Sequence, residues 1–242
     1  MKFINVISVS DGNEKDLELT IKSVRNQNYN FYKHIVIAKK LSKKFVSKNK
    51  SKKISFIVGK DKSIYSAMNI GEKISFNKHT IYLNSGDIFY SNKTLSNINK
   101  KLIKTKNLNV QFVSVLKFKN NLFYPKKKYF YNINTHTHSS FIRSPIKKNK
   151  IKFYNENFTI TADGKWMREN IKINGLKKFY IPISIFSLNG ISTLPSIKSV
   201  LIRARVSLKD FYKELTKYII SKFLSKKLFY LIIYYNKYFL KK

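Results

Sequence analysis

A chain of 242 residues can bury one substantial core, and one or two domains are expected. Its 43% hydrophobic and 15% aromatic content excludes a disordered chain, and the lack of cysteine excludes disulfides, zinc–thiolate centres and cysteine nucleophiles. The net charge of +37, from 49 Lys and Arg against 12 Asp and Glu, admits an anionic partner such as nucleic acid, phospholipid head groups or a phosphorylated substrate. The lysines run along the whole length, however, and abundant Lys, Asn, Ile, Phe and Tyr is also what AT-rich codons produce.

In chain order, Phe3–Val9 is an apolar run that reads as a strand, too short and too polar for a signal peptide. It ends in the turn-rich, helix-capping stretch Ser10-Asp11-Gly12-Asn13. Leu17, Ile21 and Val24 recur at helical spacing and predict a helix over Lys15–Asn26. His34–Ala38 and Ile54–Val58 read as buried strands, Ile64–Ile74 as a helix, and Thr80–Leu83 as a fourth strand closing in the polar turn Asn84-Ser85-Gly86-Asp87. Strands alternating with helices imply βαβ units on a parallel sheet, an α/β fold whose ligands sit beyond the carboxyl ends of the strands. A helix follows after Asn92, then alternating apolar residues through Val110–Phe118 and Leu122–Tyr131, a helix within Phe158–Lys172, a strand at Ile181–Phe186 and a loop at Ser187–Ser192. From Ser196 to Lys242 there is no Gly or Pro, and basic residues interleave with Leu, Ile, Phe and Tyr.

Acidic residues are scarce, so Asp61, Asp87 and Asp163 stand out. Each alone fits a turn or cap residue. Together they could supply a hard oxygen ligand for a divalent ion, a nucleoside contact and a carboxylate base. His34, His79 and His136 read as surface or packing residues, because no His/Asp/Glu cluster has metalloenzyme spacing. Trp166 is open between stacking on a ligand and packing its helix against the sheet.

The segment Asp61-Lys62-Ser63-Ile64-Tyr65-Ser66-Ala67-Met68-Asn69-Ile70-Gly71, with Ile81-Tyr82-Leu83-Asn84-Ser85-Gly86-Asp87 after it, resembles the family-2 glycosyltransferases of the GT-A fold. The similarity is to colanic-acid and capsule-type bacterial members, with their D-K-G-I-Y-D-A-M-N-x-G and L-N-S-G-D patterns. Ile7-Ser8-Val9-Ser10 and the Thr20-Ile21-Lys22-Ser23-Val24-Arg25-Asn26-Gln27 helix resemble the family's first strand and T-I-x-S-V-x-x-Q helix. His138-Ser139-Ser140-Phe141, Phe153–Phe158 with Ala162-Asp163, and Ser187–Ser192 follow in the family's order, so the resemblance covers residues 3–195.

That resemblance implies a GT-A-like domain over residues 1–195, an appended basic helical tail over 196–242, and transfer of a sugar from a nucleotide-sugar donor, a UDP-sugar, to a surface-polysaccharide or lipid-linked glycan. It implies that Ser8, Val9 and Ser10 line the nucleoside pocket and that Asp61 contacts base or ribose. Asn84 and Ser85 belong to the turn in which Asp87 holds Mn²⁺ or Mg²⁺ against the diphosphate. Asp163 is then the general base of an inverting reaction, His138 lies near diphosphate or acceptor, and the Ser187–Ser192 loop closes over the donor. The sequence departs from the pattern at Ala38, where the family has a base-binding Asp, and at Ser63 and Ser66, where it has Gly and Asp.

In the tail, Leu201, Ala204, Leu208, Phe211 and Leu215 keep helical spacing among Arg and Lys, and the apolar run Leu228–Tyr235 is far shorter than the roughly 20 residues of a spanning helix. A basic, aromatic-rich amphipathic helix suits an anionic membrane surface, here the cytoplasmic face of the inner membrane, and equally suits packing on the domain. Two other functions compete. One is a degenerate, non-catalytic transferase-like scaffold, prompted by Ala38. The other is a basic nucleic-acid-binding protein, although no specific nucleic-acid module is recognisable.

Overall fold

In the computed structural model, residues 1–118, 120–132, 137–157, 162–187, 197, 200–201, 208–224 and 237–240 are described. His136, the residues 188–192 of the expected loop, the start of the helix expected from Phe158 and the run Leu228–Tyr235 lie outside them.

The first half alternates strand and helix, with α2 an addition to the elements that the apolar runs predict. Strand β1 (Ile4–Ser10) leads to α1 (Glu14–Arg25), β2 (Tyr32–Ala38), α2 (Lys43–Asn49), β3 (Ile54–Val58), α3 (Ile64–Ser75) and β4 (His79–Tyr82). In the sheet, β4, β1, β2 and β3 are neighbours in that order and all parallel. Continuous apolar strands are required here because helices cover both faces. Val36 of β2 joins Leu17 and Ile21 of α1 with Phe45 of α2 on one side, while Ile35 and Ile37 join Tyr65, Ala67 and Met68 of α3 on the other.

The second half closes a mixed, ten-stranded sheet. Its elements are β5 (Ile88–Phe89), α4 (Thr94–Ile103), β6 (Asn109–Phe118), β7 (Asn121–Pro125), α5 (Lys127–Asn132), β8 (Phe141–Arg143), α6 (Ala162–Asn174), β9 (Leu176–Ser187), α7 (Leu208–Phe223) and β10 (Tyr238–Leu240). Strand β8 is antiparallel to both β4 and β6, and β9 runs parallel to β6. The alternation expected through Leu122–Tyr131 stops at Pro125, after which α5 turns Phe130 into a cluster with Val113 and Val115 of β6. Pairing with β10 runs one residue further, Lys126 N–H donating to Lys237 O at 2.8 Å, before the chain turns into α5. Segment 196–242 holds a helix, α7, and also a strand: β10 pairs antiparallel with β7, so the end of the chain adds to the sheet.

Candidate active site

The first landmark is the turn after β4. Backbone bonds from Leu83 N–H to Ile7 O (2.8 Å) and Ser85 N–H to Val9 O (3.0 Å) carry the chain along β1 to its carboxyl end. Asn84-Ser85-Gly86-Asp87 then closes as a β-turn, with Asp87 N–H donating to Asn84 O at 2.9 Å. Gly86 has φ +91°, the value that the third position of a type II turn requires and that glycine takes without strain. Asp87 is 6% exposed. Asn84 Oδ1 and Ser85 Oγ are buried without a hydrogen-bond partner.

Beneath the turn, Ser8 is wholly buried. Its hydroxyl donates to Leu83 O at 2.6 Å and so accepts from His34 Nε2 at 2.8 Å, which fixes the proton of His34 on Nε2. Ser8 thus supports the strand end from inside the sheet. Burial drives the His34 imidazole down to about 3, so the ring is neutral and, as expected, a packing residue. His79 at the start of β4 is likewise buried and lowered to about 4. At the tip of β1, Ser10 Oγ accepts from Gly12 N–H at 3.1 Å and Ser10 O accepts from Lys39 N–H at 3.2 Å; Val9 and Ser10 are almost fully buried. Ala38 ends β2 with its methyl group buried, so no side chain there reaches a ligand.

The second landmark is the start of α3. Ser63 Oγ accepts from Ser66 N–H at 3.1 Å while Ser66 Oγ accepts from Ser63 N–H at 2.8 Å, a reciprocal capping box. The two departures from the family pattern at this helix are therefore one unit, each serine capping the other. Asp61, just ahead of it, has Oδ1 buried and without a partner. Such an atom bears the desolvation cost of burial until a ligand or water meets it. Asn69 binds the backbone of Tyr154 at both ends, donating to its O at 3.0 Å and accepting from its N–H at 2.7 Å. A Cβ at Gly71 would stand 2.9 Å from Ile7 Cδ1 and 3.1 Å from the Tyr82 hydroxyl, so only glycine lets α3 lie this close to β1 and β4.

Asp163 supplies the third. It lies in the first turn of α6, where a carboxylate suits the positive end of the helix dipole, and accepts from Gly164 N–H at 2.9 Å. Its side chain is 40% exposed. Tyr65 in the first turn of α3 accepts from Ala162 N–H at 3.3 Å, joining the helix start that follows Asp61 to the one that bears Asp163. His138 Nδ1 is 3.9 Å from Asp163 Oδ2, beyond hydrogen-bond reach, and His138 Nε2 is 3.3 Å from the Tyr154 hydroxyl. Burial lowers the His138 pKa against the pull of Asp163, so the ring is neutral at pH 7. His138 also packs on Tyr82, with ring centroids 5.7 Å apart, two residues before Asn84. Asp61, the Asn84–Asp87 turn, His138 and Asp163 are thereby carried on segments that touch one another at the carboxyl end of the parallel strands.

Behind them, Trp166, left open by the sequence between ligand and core, is 1% exposed and stacks on Tyr154 (4.9 Å, 14°), which in turn stacks on Tyr65 (5.8 Å, 10°), so Trp166 packs α6 to the core. Below, Glu72 and Arg143 form a fully buried ion pair at 3.0 Å, and the Tyr82 hydroxyl donates to Glu72 at 2.7 Å. Burial raises the Glu72 pKa, opposed by Arg143. Burial, with Glu72 beside it, also holds the Tyr82 phenol well above its ordinary value.

The donor set of the turn suits a divalent cation: the Asp87 carboxylate, Asn84 Oδ1 and Ser85 Oγ are all hard oxygens. No group of three or more His, Asp or Glu residues could hold a metal among the described residues, so the remaining ligands would have to come from water and a bound anion. A groove of about 430 Å³ lined by Lys101, Lys104, Lys106, Lys177, Leu108 and Phe179 lies at the other end of the sheet, where β6 and β9 begin. It brings together none of the residues above.

No protein-family model matches the chain, and no curated protein matches it in sequence. Its fold is that of solved GT-A transferases. A structure of S. aureus TarS 1–349 in complex with UDP-GlcNAc aligns over 90% of this chain and 71% of its own, with a TM-score of 0.63 and 13% identity. A longer S. aureus TarS structure aligns with a TM-score of 0.60 and 12% identity over 90% of this chain, which spans 43% of that protein. The mannosyltransferase PcManGT from Pyrobaculum calidifontis, in complex with GDP-Man and Mn²⁺, aligns over 89% of this chain and 64% of its own, with a TM-score of 0.59 and 12% identity.

Proposed function

We propose that the protein is an inverting glycosyltransferase that takes a sugar from a nucleotide-sugar, a UDP-sugar, and passes it to a surface-polysaccharide or lipid-linked glycan. The observation that carries this reading is that Tyr82, at the end of β4 ahead of the Asn84–Asp87 turn, packs on His138 next to Asp163, while Tyr65 ties the start of α3, which follows Asp61, to the start of α6. The donors seen in the structural neighbours, UDP-GlcNAc and GDP-Man, belong to the class that this arrangement suits.

In this reading Asp61 takes a hydrogen bond from the nucleoside on its unpartnered oxygen, the role that falls to it because Ala38 offers none. Asp87, with Asn84 and Ser85, would hold Mn²⁺ or Mg²⁺, which would supply charge neutralisation for the leaving diphosphate. Asp163, on the solvent side, accepts the proton of the acceptor hydroxyl as it attacks the anomeric carbon from the face opposite the leaving group, and configuration inverts. Neutral His138 keeps a second positive charge away from Asp163 and so leaves its carboxylate free to act as base.

A membrane-facing role for segment 196–242 is part of the proposal. On α7, Leu208, Tyr212, Ile219 and Phe223 fall on one stripe and are 74%, 62%, 49% and 84% exposed, with Lys217 and Lys222 on the same helix. No helix among the described residues is long and apolar enough to cross a membrane, so this contact would be peripheral.

The test is a thermal-shift panel of UDP-, GDP- and dTDP-sugars with and without Mn²⁺, since a ligand that binds only the folded state raises its apparent stability. A divalent-dependent shift with one nucleotide class is expected; no shift with any of them refutes the reading. Asp163→Asn should keep the donor shift and lose transfer, and full transfer by that variant removes Asp163 as base.

A further inference from the structure

The buried polar face of α1 has no part in the donor contacts above, yet its bonds converge on the turn that carries Asp87. Thr20 is fully buried, and its hydroxyl accepts from Gly86 N–H at 3.0 Å while donating to Asp87 O at 2.8 Å. Its longer approach to Asn84 O is 3.3 Å. One hydroxyl has a single proton, so the short bond to Asp87 O takes it, and the bond from Gly86 N–H occupies one of the two lone pairs. They grip the peptide groups on both sides of Gly86 and Asp87, the stretch where a positive φ makes the chain easiest to distort.

One turn along, Ser23 Oγ accepts from Phe89 N–H at 3.2 Å and donates back to Thr20 O at 2.8 Å. A further turn on, Gln27 donates to Ser91 O at 2.8 Å and accepts from Leu95 N–H at 3.0 Å. Thr20 and Ser23 lie on one face of α1, and Gln27 follows just past its end with its own N–H bonded to Val24 O at 3.2 Å, so the helix and its C-terminal turn hold 86–95 at successive points. Downstream of Asp87, β5 pairs with β9 through Ile88 and Phe89.

We infer that Thr20 is a positioning residue, the head of a Thr20–Ser23–Gln27 clamp that sets where the Asp87 carboxylate stands and hence how tightly a divalent ion and a nucleoside diphosphate bind together. This rests on the function proposed above, and it assigns the work to a side chain that touches neither ligand. The isosteric change Thr20→Val keeps the methyl packing but removes the side-chain bonds to Gly86 N–H and Asp87 O. Thr20→Ser restores both bonds.

Three readouts separate positioning from mere stability. Mn²⁺-dependent binding of UDP, measured by calorimetry, should weaken roughly 10- to 100-fold in Thr20→Val and stay within about threefold of wild type in Thr20→Ser. Thr105→Val, which removes a buried hydroxyl bond to Leu102 O (3.2 Å) beyond the far end of α4, serves as the stability control: it should lower Tm comparably and leave binding unchanged. Hydrogen exchange should show the Gly86 amide losing protection in Thr20→Val and retaining it in Thr20→Ser. Thr20→Val binding Mn²⁺ and UDP like wild type overturns the inference, as does a Thr105→Val variant that loses binding equally. If wild type binds no nucleotide at all, the proposed function fails, and an unchanged Gly86 exchange rate in Thr20→Val then rejects the clamp on its own.

Discussion

The two buried imidazoles of the parallel strands make the protein acid-labile in a calculable way. His34 keeps its neutral ring when folded, with its ordinary value of 6.5 lowered to about 3, whereas the unfolded chain takes up a proton as pH falls through 6.5. The unfolded state therefore binds more protons, and stability is complete above pH 6.5 and lost as pH drops towards 3. At pH 5.0 the loss is set by the unfolded chain alone, because the folded ring has not begun to titrate, and amounts to about 2 kcal/mol relative to pH 7.5. His79, lowered to about 4, adds about as much with the same sign. Urea unfolding followed by the single tryptophan, Trp166, buried beside Tyr154, reports the transition at both pH values. In His34→Gln a non-titrating side chain replaces the ring and can still donate to Ser8. The pH-dependent loss between 7.5 and 5.0 should then fall by about 2 kcal/mol against wild type. Comparing the two proteins cancels the carboxylates and the repulsion that a +37 chain carries into both. An identical pH dependence in His34→Gln would refute the assignment of a buried neutral imidazole under the β1–β4 junction.

Three further outcomes follow from the same geometry. Gly71→Ala should lower stability by about 1–3 kcal/mol in urea titrations, since its Cβ would press on Ile7 and the Tyr82 hydroxyl. Arg143→Met leaves Glu72 buried without its ion-pair partner and should cost about 3–5 kcal/mol, while the double variant Arg143→Met/Glu72→Leu should recover most of it; equal losses in both would deny the pair its role. Replacing Ile219 and Phe223 by Gln should reduce co-sedimentation with phosphatidylserine vesicles without changing Tm, and undiminished binding would remove α7 from the membrane contact.

The helix–strand alternation up to Leu83 was legible, α2 excepted, because β1, β2 and β4 are largely buried on both faces and α1 and α3 keep a clear stripe: Leu17, Ile21 and Val24 are the buried line of α1, while Ile54–Val58 forms the expected strand but at the sheet's edge, with Val58 37% exposed. The polar line beside that stripe, Thr20, Ser23 and Gln27, was present in the sequence but carries no local signal, because its partners lie 64 to 68 residues away. The same holds for Glu72 with Arg143, and for β8 and β10, three-residue strands that exist only through their neighbours. The alternation expected through Leu122–Tyr131 gives way to α5 after Pro125. At the site, Asp61, Asn84, Ser85 and Asp87 stand in turns at strand ends, as their motif context implies. Ser8 differs because an inward-facing strand residue is committed to the sheet, here to Leu83 O and His34.

The central claim is that a divalent ion and a nucleoside diphosphate meet at the Asn84–Asp87 turn. Paramagnetic Mn²⁺ titrated with UDP into the ¹⁵N-labelled protein tests it directly, because amides near the ion lose their signals. The account predicts loss at Ser85, Gly86, Asp87 and the residues about Asp61 and Asp163, dependent on UDP. Signals lost instead around the Lys101–Lys177 groove, or nowhere, would contradict it.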